Sequence, residues 1–84
     1  MNEYIVKITQ TATDLHPYEK AGTTRSYYIG KGEVVSTTIK TFLYVYEGWK
    51  SKGWATRYIK QASEFNNDCS NPYWDFTYEI VEIK

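Results

Sequence analysis

Two indole rings flank two cations in the stretch Trp49-Lys50-Ser51-Lys52-Gly53-Trp54. Aromatic rings interleaved with cations suit two kinds of chemistry: an anchor for another protein, or a platform on which the bases of a single-stranded nucleic acid stack. Gly48 and Gly53 share the spacing of the glycines in a phosphate-binding loop. That loop needs Lys and then Ser or Thr directly after the second glycine, and here Trp54 and Ala55 follow, so nucleotide binding of that kind is rejected. Ser51 reads as the N-cap of a helix. Lys50 and Lys52 then stand where the helix dipole opposes a cation, so helix stability does not explain them. For either Trp the alternative role is structural. Trp54 sits at the edge of the helix's apolar arc and is expected to face the core, which leaves Trp49 as the ring expected to be exposed.

The remaining reactive side chains are isolated. His16 lies in a loop before Pro17 with no second His or neighbouring nucleophile, and reads as solvated. Cys69 has no adjacent base to activate its thiol. Glu79 and Glu82 fall on opposite sides of a strand, against a paired-carboxylate site. One His and one Cys do not make a structural zinc site within one chain. No enzyme activity, metal or cofactor is expected.

One helix and a set of strands must position the Trp–Lys stretch. In Ser51 to Phe65 the residues Ala55, Tyr58, Ile59, Ala62 and Phe65 recur at spacings of three and four, the period of one helix face, and Thr56, Arg57, Lys60, Gln61 and Glu64 fall opposite. The helix is expected over about 51–66, ended by Asn66-Asn67-Asp68. Glu3 to Thr11 alternates Tyr4, Val6 and Ile8 against Lys7 and Thr9, a strand in which Ile5 breaks the pattern. Thr13 to Thr24 is a long polar loop. Arg25 to Ile29 and a run from Glu33 onwards are strands joined through Gly30-Lys31-Gly32 as a hairpin. Val34 to Tyr46 is too long for one strand, so a break is expected near Thr38 to Thr41, with Phe42, Tyr44 and Tyr46 alternating against Leu43 and Val45. Trp74 to Ile83 closes the set, with Trp74, Phe76, Tyr78 and Ile80 on one face and Val81 and Ile83 on the other. The expected fold is α+β in a single domain of 84 residues: about four antiparallel strands with the helix on one face. No second helix is expected, so aromatics on the other face must be exposed, covered by loops, or buried in a partner or a second copy.

Composition adds two constraints. Nine Tyr, three Trp and three Phe are more rings than a small core can hide. The net charge is zero, yet residues 20–60 carry eight Lys or Arg against two Glu, a net of +6, between acidic ends. No apolar run marks a secretory signal or a membrane span, and a single cysteine fits a reducing cytoplasm.

Tyr4-Ile5-Val6-Lys7, Tyr28-Ile29-Gly30-Lys31, Trp54-Ala55-Thr56-Arg57-Tyr58-Ile59-Lys60 and Tyr78-Glu79-Ile80-Val81-Glu82 together resemble small phage- and prophage-encoded proteins of a β-β-α-β kind. The Trp49 to Trp54 decoration and the abundance of Tyr depart from that pattern. The resemblance implies a bacterial host cytoplasm and stoichiometric inhibition or adaptation of a host protein, such as a nucleic-acid-handling, restriction or CRISPR factor. The residues themselves point to a protein-binding module using Trp49, Lys50, Lys52, Arg57, Lys31 and Tyr44, with an acidic or nucleic-acid-like partner surface. The alternative is nucleic-acid binding through Lys31, Lys40, Lys50, Lys52, Arg57 and Lys60 with Trp49 and Tyr44, which the zero net charge weakens.

Overall fold

The computed structural model describes residues 3–68 and 72–83. Four antiparallel strands form one sheet in the order β3-β2-β1-β4. They are β1 (Tyr4–Ala12), β2 (Thr24–Gly30), β3 (Val34–Ser36) and β4 (Trp74–Glu82). Two helices accompany them, a short α1 (Lys40–Tyr44) and the main α2 (Lys52–Asp68). The fold is therefore α+β, as the residue pattern requires. The molecule is a slab of 43 × 24 × 16 Å. A body this thin has little interior, and full burial is confined to a few side chains.

Alternation along β1 assigns the faces. Val6 stands opposite Ile29 on β2 and Ile80 on β4, and Ile8 opposite Tyr27 and Tyr78. Directly opposed residues share a face, so Tyr4, Val6, Ile8, Tyr27, Ile29, Phe76, Tyr78 and Ile80 form one apolar surface. α2 packs on this surface against β1 and β4, with Ala55 fully buried and Tyr58 and Ile59 half-buried. Ser51 caps the helix as expected: its Oγ accepts the Trp54 N–H at 3.3 Å. The helix extends through Asn66, Asn67 and Asp68 rather than stopping before them. Phe65, expected on the buried arc, is 67% exposed and borders an open cavity above Ile8 and Tyr27.

The opposite face carries a helix that the alternation of Phe42, Tyr44 and Tyr46 does not reveal. The strand starting at Val34 ends at Ser36, within a hydroxyl cluster. Ser36 Oγ donates to Thr41 Oγ1 at 2.9 Å, Thr38 N–H donates to Ser36 Oγ at 3.2 Å, and the Thr38 and Thr41 hydroxyls are 2.8 Å apart. Side-chain bonds of this kind offer the backbone an alternative to the ladder, and the chain turns into α1. Its Phe42 is fully buried, as is Ile5, the residue that broke the alternation of β1. A Cβ on Gly30 would stand 2.5 Å from a Phe42 ring carbon, so only glycine leaves room for the ring. Beyond this cap the second face is mostly Lys7, Thr9, Thr11, Ser26, Thr77 and Glu79, a surface that needs no cover. The rings of β1, β2 and β4 lie on the α2 face, Tyr28 excepted, while Phe42, with Tyr46 against its ring, covers the second face.

β2 and β3 form the expected hairpin, and its link is a 3-10 turn over Lys31–Glu33, one residue later than Gly30-Lys31-Gly32. Gly32 and Glu33 both take positive φ, 77° and 59°. His16 is half-buried rather than solvated. Its Nδ1 accepts the N–H groups of Tyr18 and Glu19 at 3.1 and 2.9 Å, and its ring meets Trp74 edge-on at 4.8 Å. Cys69 lies outside the described residues.

Candidate functional site: a Trp–cation groove beside the main helix

The Trp–Lys stretch is held by the start of the chain. Trp49 and Tyr4 exchange two backbone hydrogen bonds, each 2.8 Å, so the segment continues the sheet beside β1. Gly48 makes this approach possible, since a Cβ there would stand 2.7 Å from the Tyr4 carbonyl oxygen. Glu3 completes the latch. Its carboxylate is buried, accepts the Gly48 N–H at 2.9 Å and faces the Lys50 ammonium at 3.7 Å. A buried carboxylate needs both a donor and a cation, and the loop supplies them. Nothing in the local pattern of Glu3 marks it for this role, because its partners lie 45 residues away or more.

The two tryptophans exchange the roles expected of them. Trp49 is half-buried, packs against the core and stacks on Tyr58 with ring centroids 5.3 Å apart and planes 29° from parallel. Trp54 is 56% exposed, and the Arg57 guanidinium lies over it at 5.5 Å. The reason is the strand-like pairing of Trp49 with Tyr4, a long-range contact that turns its ring under the helix. Ala55, one residue later, takes the core position, so Trp54 is rotated outwards.

α2 packs on β1 and β4 and leaves its β2-facing flank open. Three adjoining cavities run along that flank. The first, about 370 Å³, is lined by Lys31, Trp49, Lys50 and Trp54. The next, about 460 Å³, shares both Trp residues and adds Gly32, Glu33, Arg57, Tyr58 and Gln61. The third, about 520 Å³, continues past Tyr58 and Gln61 to Ile8, Tyr27, Ala62 and Phe65. Trp54, Tyr58, Gln61 and Phe65 are spaced by three or four, so one stripe of the helix forms the groove's wall.

Of the residues the sequence singles out, the fold brings Lys31, Trp49, Lys50 and Arg57 to this groove. It does not bring Lys52 or Tyr44: both are exposed, and neither lines the groove. Tyr44 is carried on α1, over the other face of the sheet. Sequence reasoning misses Trp54, Tyr58 and Phe65 as groove residues because each belongs to the arc that periodicity assigns to the core.

The cations are partly compensated. Lys31 has the Glu47 carboxylate at 3.7 Å, and Lys50 has Glu3. Among the described residues, Lys52 and Arg57 have no carboxylate in ion-pair range. Burial pushes the Tyr58 phenol up to about 12, reinforced by Tyr27, Glu33 and Tyr78. Tyr27 is raised as well, again chiefly by burial and secondarily by Tyr78. Both phenols therefore stay neutral at physiological pH and act as apolar groove walls with a polar tip. Among the described residues no three His, Cys, Asp or Glu side chains gather where they could hold a metal ion. No helix among them is long and apolar enough to cross a membrane. Comparison with protein-family models, with curated proteins and with solved structures finds no match.

Proposed function

We propose that this chain is a small non-enzymatic protein-binding module that acts stoichiometrically. Its docking site is the groove between α2 and the β2 side of the sheet. One observation carries the reading: an indole left 56% exposed at the mouth of a groove whose rim holds Lys31, Lys50 and Arg57. Trp and Arg are the side chains most enriched among interface anchors, and Trp is costly to leave in water. The partner that fits is a protein presenting an apolar side chain beside a carboxylate, the former over Trp54 and the latter towards Arg57, which has no carboxylate in ion-pair range among the described residues. The setting implied by the resemblance to small phage proteins, inhibition of a host factor that handles nucleic acid, is compatible with such an acidic partner.

Nucleic acid is the second reading, favoured by the Arg57–Trp54 stack, which resembles a base-stacking platform. The carboxylates facing Lys31 and Lys50 count against it, because they neutralise charges that phosphates would need.

The deciding experiment immobilises wild-type protein and the Trp54→Ala variant and passes a bacterial lysate over each. A protein retained by the wild type and lost from a variant with an unchanged thermal midpoint supports the reading. Equal retention by both overturns it. A labelled single-stranded oligonucleotide titrated at low and moderate salt decides the alternative. Binding tighter than the non-specific range, about micromolar, with steep salt dependence would put nucleic acid first.

A further inference from the structure

β4 is the outermost strand and pairs with β1 along one side. The register runs unbroken from Tyr4 opposite Glu82 to Ala12 opposite Trp74. The hydrogen bonds flanking this ladder show which residues point their main chain inwards. Ile83 N–H donates to the Glu3 carbonyl and Thr13 N–H donates to the Tyr73 carbonyl, each at 2.9 Å. Opposed residues in an antiparallel pair alternate between bonded and non-bonded. Asp75, Thr77, Glu79 and Val81 therefore spend their N–H and C=O groups on β1, while Phe76 and Ile80 direct theirs away from the sheet. β1 agrees independently: Tyr4 and Ala12, of the other parity, bond on its opposite side, to Trp49 and Thr23.

This edge is long, nine residues, and contains no proline. Its two faces differ. Asp75, Thr77 and Glu79 are exposed on the polar face, while Phe76 and Ile80 are half-buried beside α2. Charge on an edge strand deters unwanted pairing, and here all of it is negative: Asp75, Glu79 and Glu82. Two copies joined through β4 would bring the exposed Asp75 and Glu79 of each chain together on the polar face, where like charges opposite or diagonal to one another repel. A second copy is thus disfavoured, and a cationic strand is favoured.

We propose that the β4 edge accepts, as an added strand, an extended segment of a partner protein in which Lys or Arg alternates with β-branched or aromatic residues. Main-chain bonds to Phe76 and Ile80 hold the segment. Its cations face Asp75 and Glu79, and its apolar side chains cover the open flanks of Phe76 and Ile80. The site lies across the sheet from the Trp54 groove and takes a partner of opposite charge, so it is a second surface and not an extension of the first.

The probe is a fluorescein-labelled nine-residue peptide alternating Lys with Val and Thr, beside a control carrying Glu in place of Lys. Fluorescence anisotropy should show the Lys peptide bound at least about tenfold tighter than the Glu peptide. Amide hydrogen exchange read by NMR should slow at Phe76 and Ile80 on binding, with Thr77 and Glu79 little changed. The double variant Asp75→Lys/Glu79→Lys should reverse the peptide preference, and Glu79→Gln, which adds no new charge, should weaken the Lys peptide alone. Trp54→Ala should leave binding untouched. Equal binding of the two peptides, binding without slowed exchange at Phe76 and Ile80, or its loss in Trp54→Ala would each overturn the proposal. So would sedimentation showing a wild-type dimer in which exchange at Phe76 and Ile80 is already slowed.

Discussion

Around Trp49 the chain is specified by long-range contacts at every step, whereas towards the far end of α2 apolar side chains meet little protein. At the first place Ile5, Val6, Phe42 and Ala55 have no exposed surface, Gly30 and Gly48 permit contacts that no Cβ would allow, and a buried carboxylate ties the two segments together. At the second, Phe65 is 67% exposed and, with the half-buried Tyr27 and Ala62, lines an open cavity whose floor is the buried Ile8. The same helix serves both regions. Ala55, Tyr58 and Ile59 pack on the sheet, and Phe65 near the helix end is exposed. A small fold can concentrate its close packing where a functional loop must be held and leave apolar surface free elsewhere, provided that surface has a use.

The comparison breaks most visibly at Phe42. Phe42→Ala should cost about 3–5 kcal/mol, the range for emptying a buried aromatic site, a large share of the stability of a chain this short. Denaturant unfolding measures it. A cost below about 1 kcal/mol would mean that α1 does not cap the sheet's second face and that the pinned end is no better packed than the open one.

Glu3 comes next. Glu3→Ala leaves the Gly48 N–H without its acceptor and Lys50 without its counter-ion, at about 1–3 kcal/mol. Glu3→Gln, which keeps an oxygen for the Gly48 N–H, should recover part of that loss. The same denaturation experiment separates the two. Equal losses would show that the charge opposite Lys50, and not the bond to Gly48, holds the Trp49 segment.

These two sites also mark how far the amino-acid order could be read. Period-two alternation located β1 and β4, the glycine-rich turn after an apolar run located β2, and period-three-to-four spacing located α2 with Ser51 at its start, because in those stretches local pattern and tertiary contact agree. α1 was illegible since Phe42, Tyr44 and Tyr46 alternate as a strand would, and only the Ser36–Thr41 hydroxyl cluster and the space above Gly30 make Phe42 and Tyr44 helical. The site was legible by type but not by orientation. Lys31, Trp49, Lys50 and Arg57 could be selected as unusual, yet which indole points outwards depends on Tyr4 and Glu3, more than forty positions from the loop. Ile5 carried the missing signal: an apolar residue on the polar side of a strand announces that something covers that side.

A smaller effect is expected from Tyr58, which stands at the junction of the two regions. Its phenol titrates near 10.0 in an ordinary setting and near 12 in the fold, chiefly through burial. Between those values the unfolded chain has released a proton that the folded chain retains. Stability therefore falls as pH rises from about 10 towards 12 and is unaffected by this group below that window. Tyr58→Phe should flatten the fall relative to wild type in thermal melts across that range. An unchanged slope would place the phenol in water and Trp49 off its ring.

The smallest effect is expected at Phe65, and it sharpens the contrast most. Phe and Ser have similar helix propensities, and an exposed ring loses little on removal, so Phe65→Ser should shift stability by no more than about 0.5 kcal/mol. The thermal midpoint of wild type and variant should agree at low protein concentration. Concentration makes the measurement informative. If another copy covers Phe65 and Tyr27 in solution, the wild-type midpoint rises with protein concentration by mass action and that of Phe65→Ser does not. The groove would then be an interface between copies, and its open flank would be unavailable to the acidic partner. If both midpoints stay fixed over a roughly hundredfold range of concentration, the Phe65 end of α2 is open surface on the monomer. The contrast between a pinned end that builds the groove and an open end that leaves it accessible then holds for the molecule in solution.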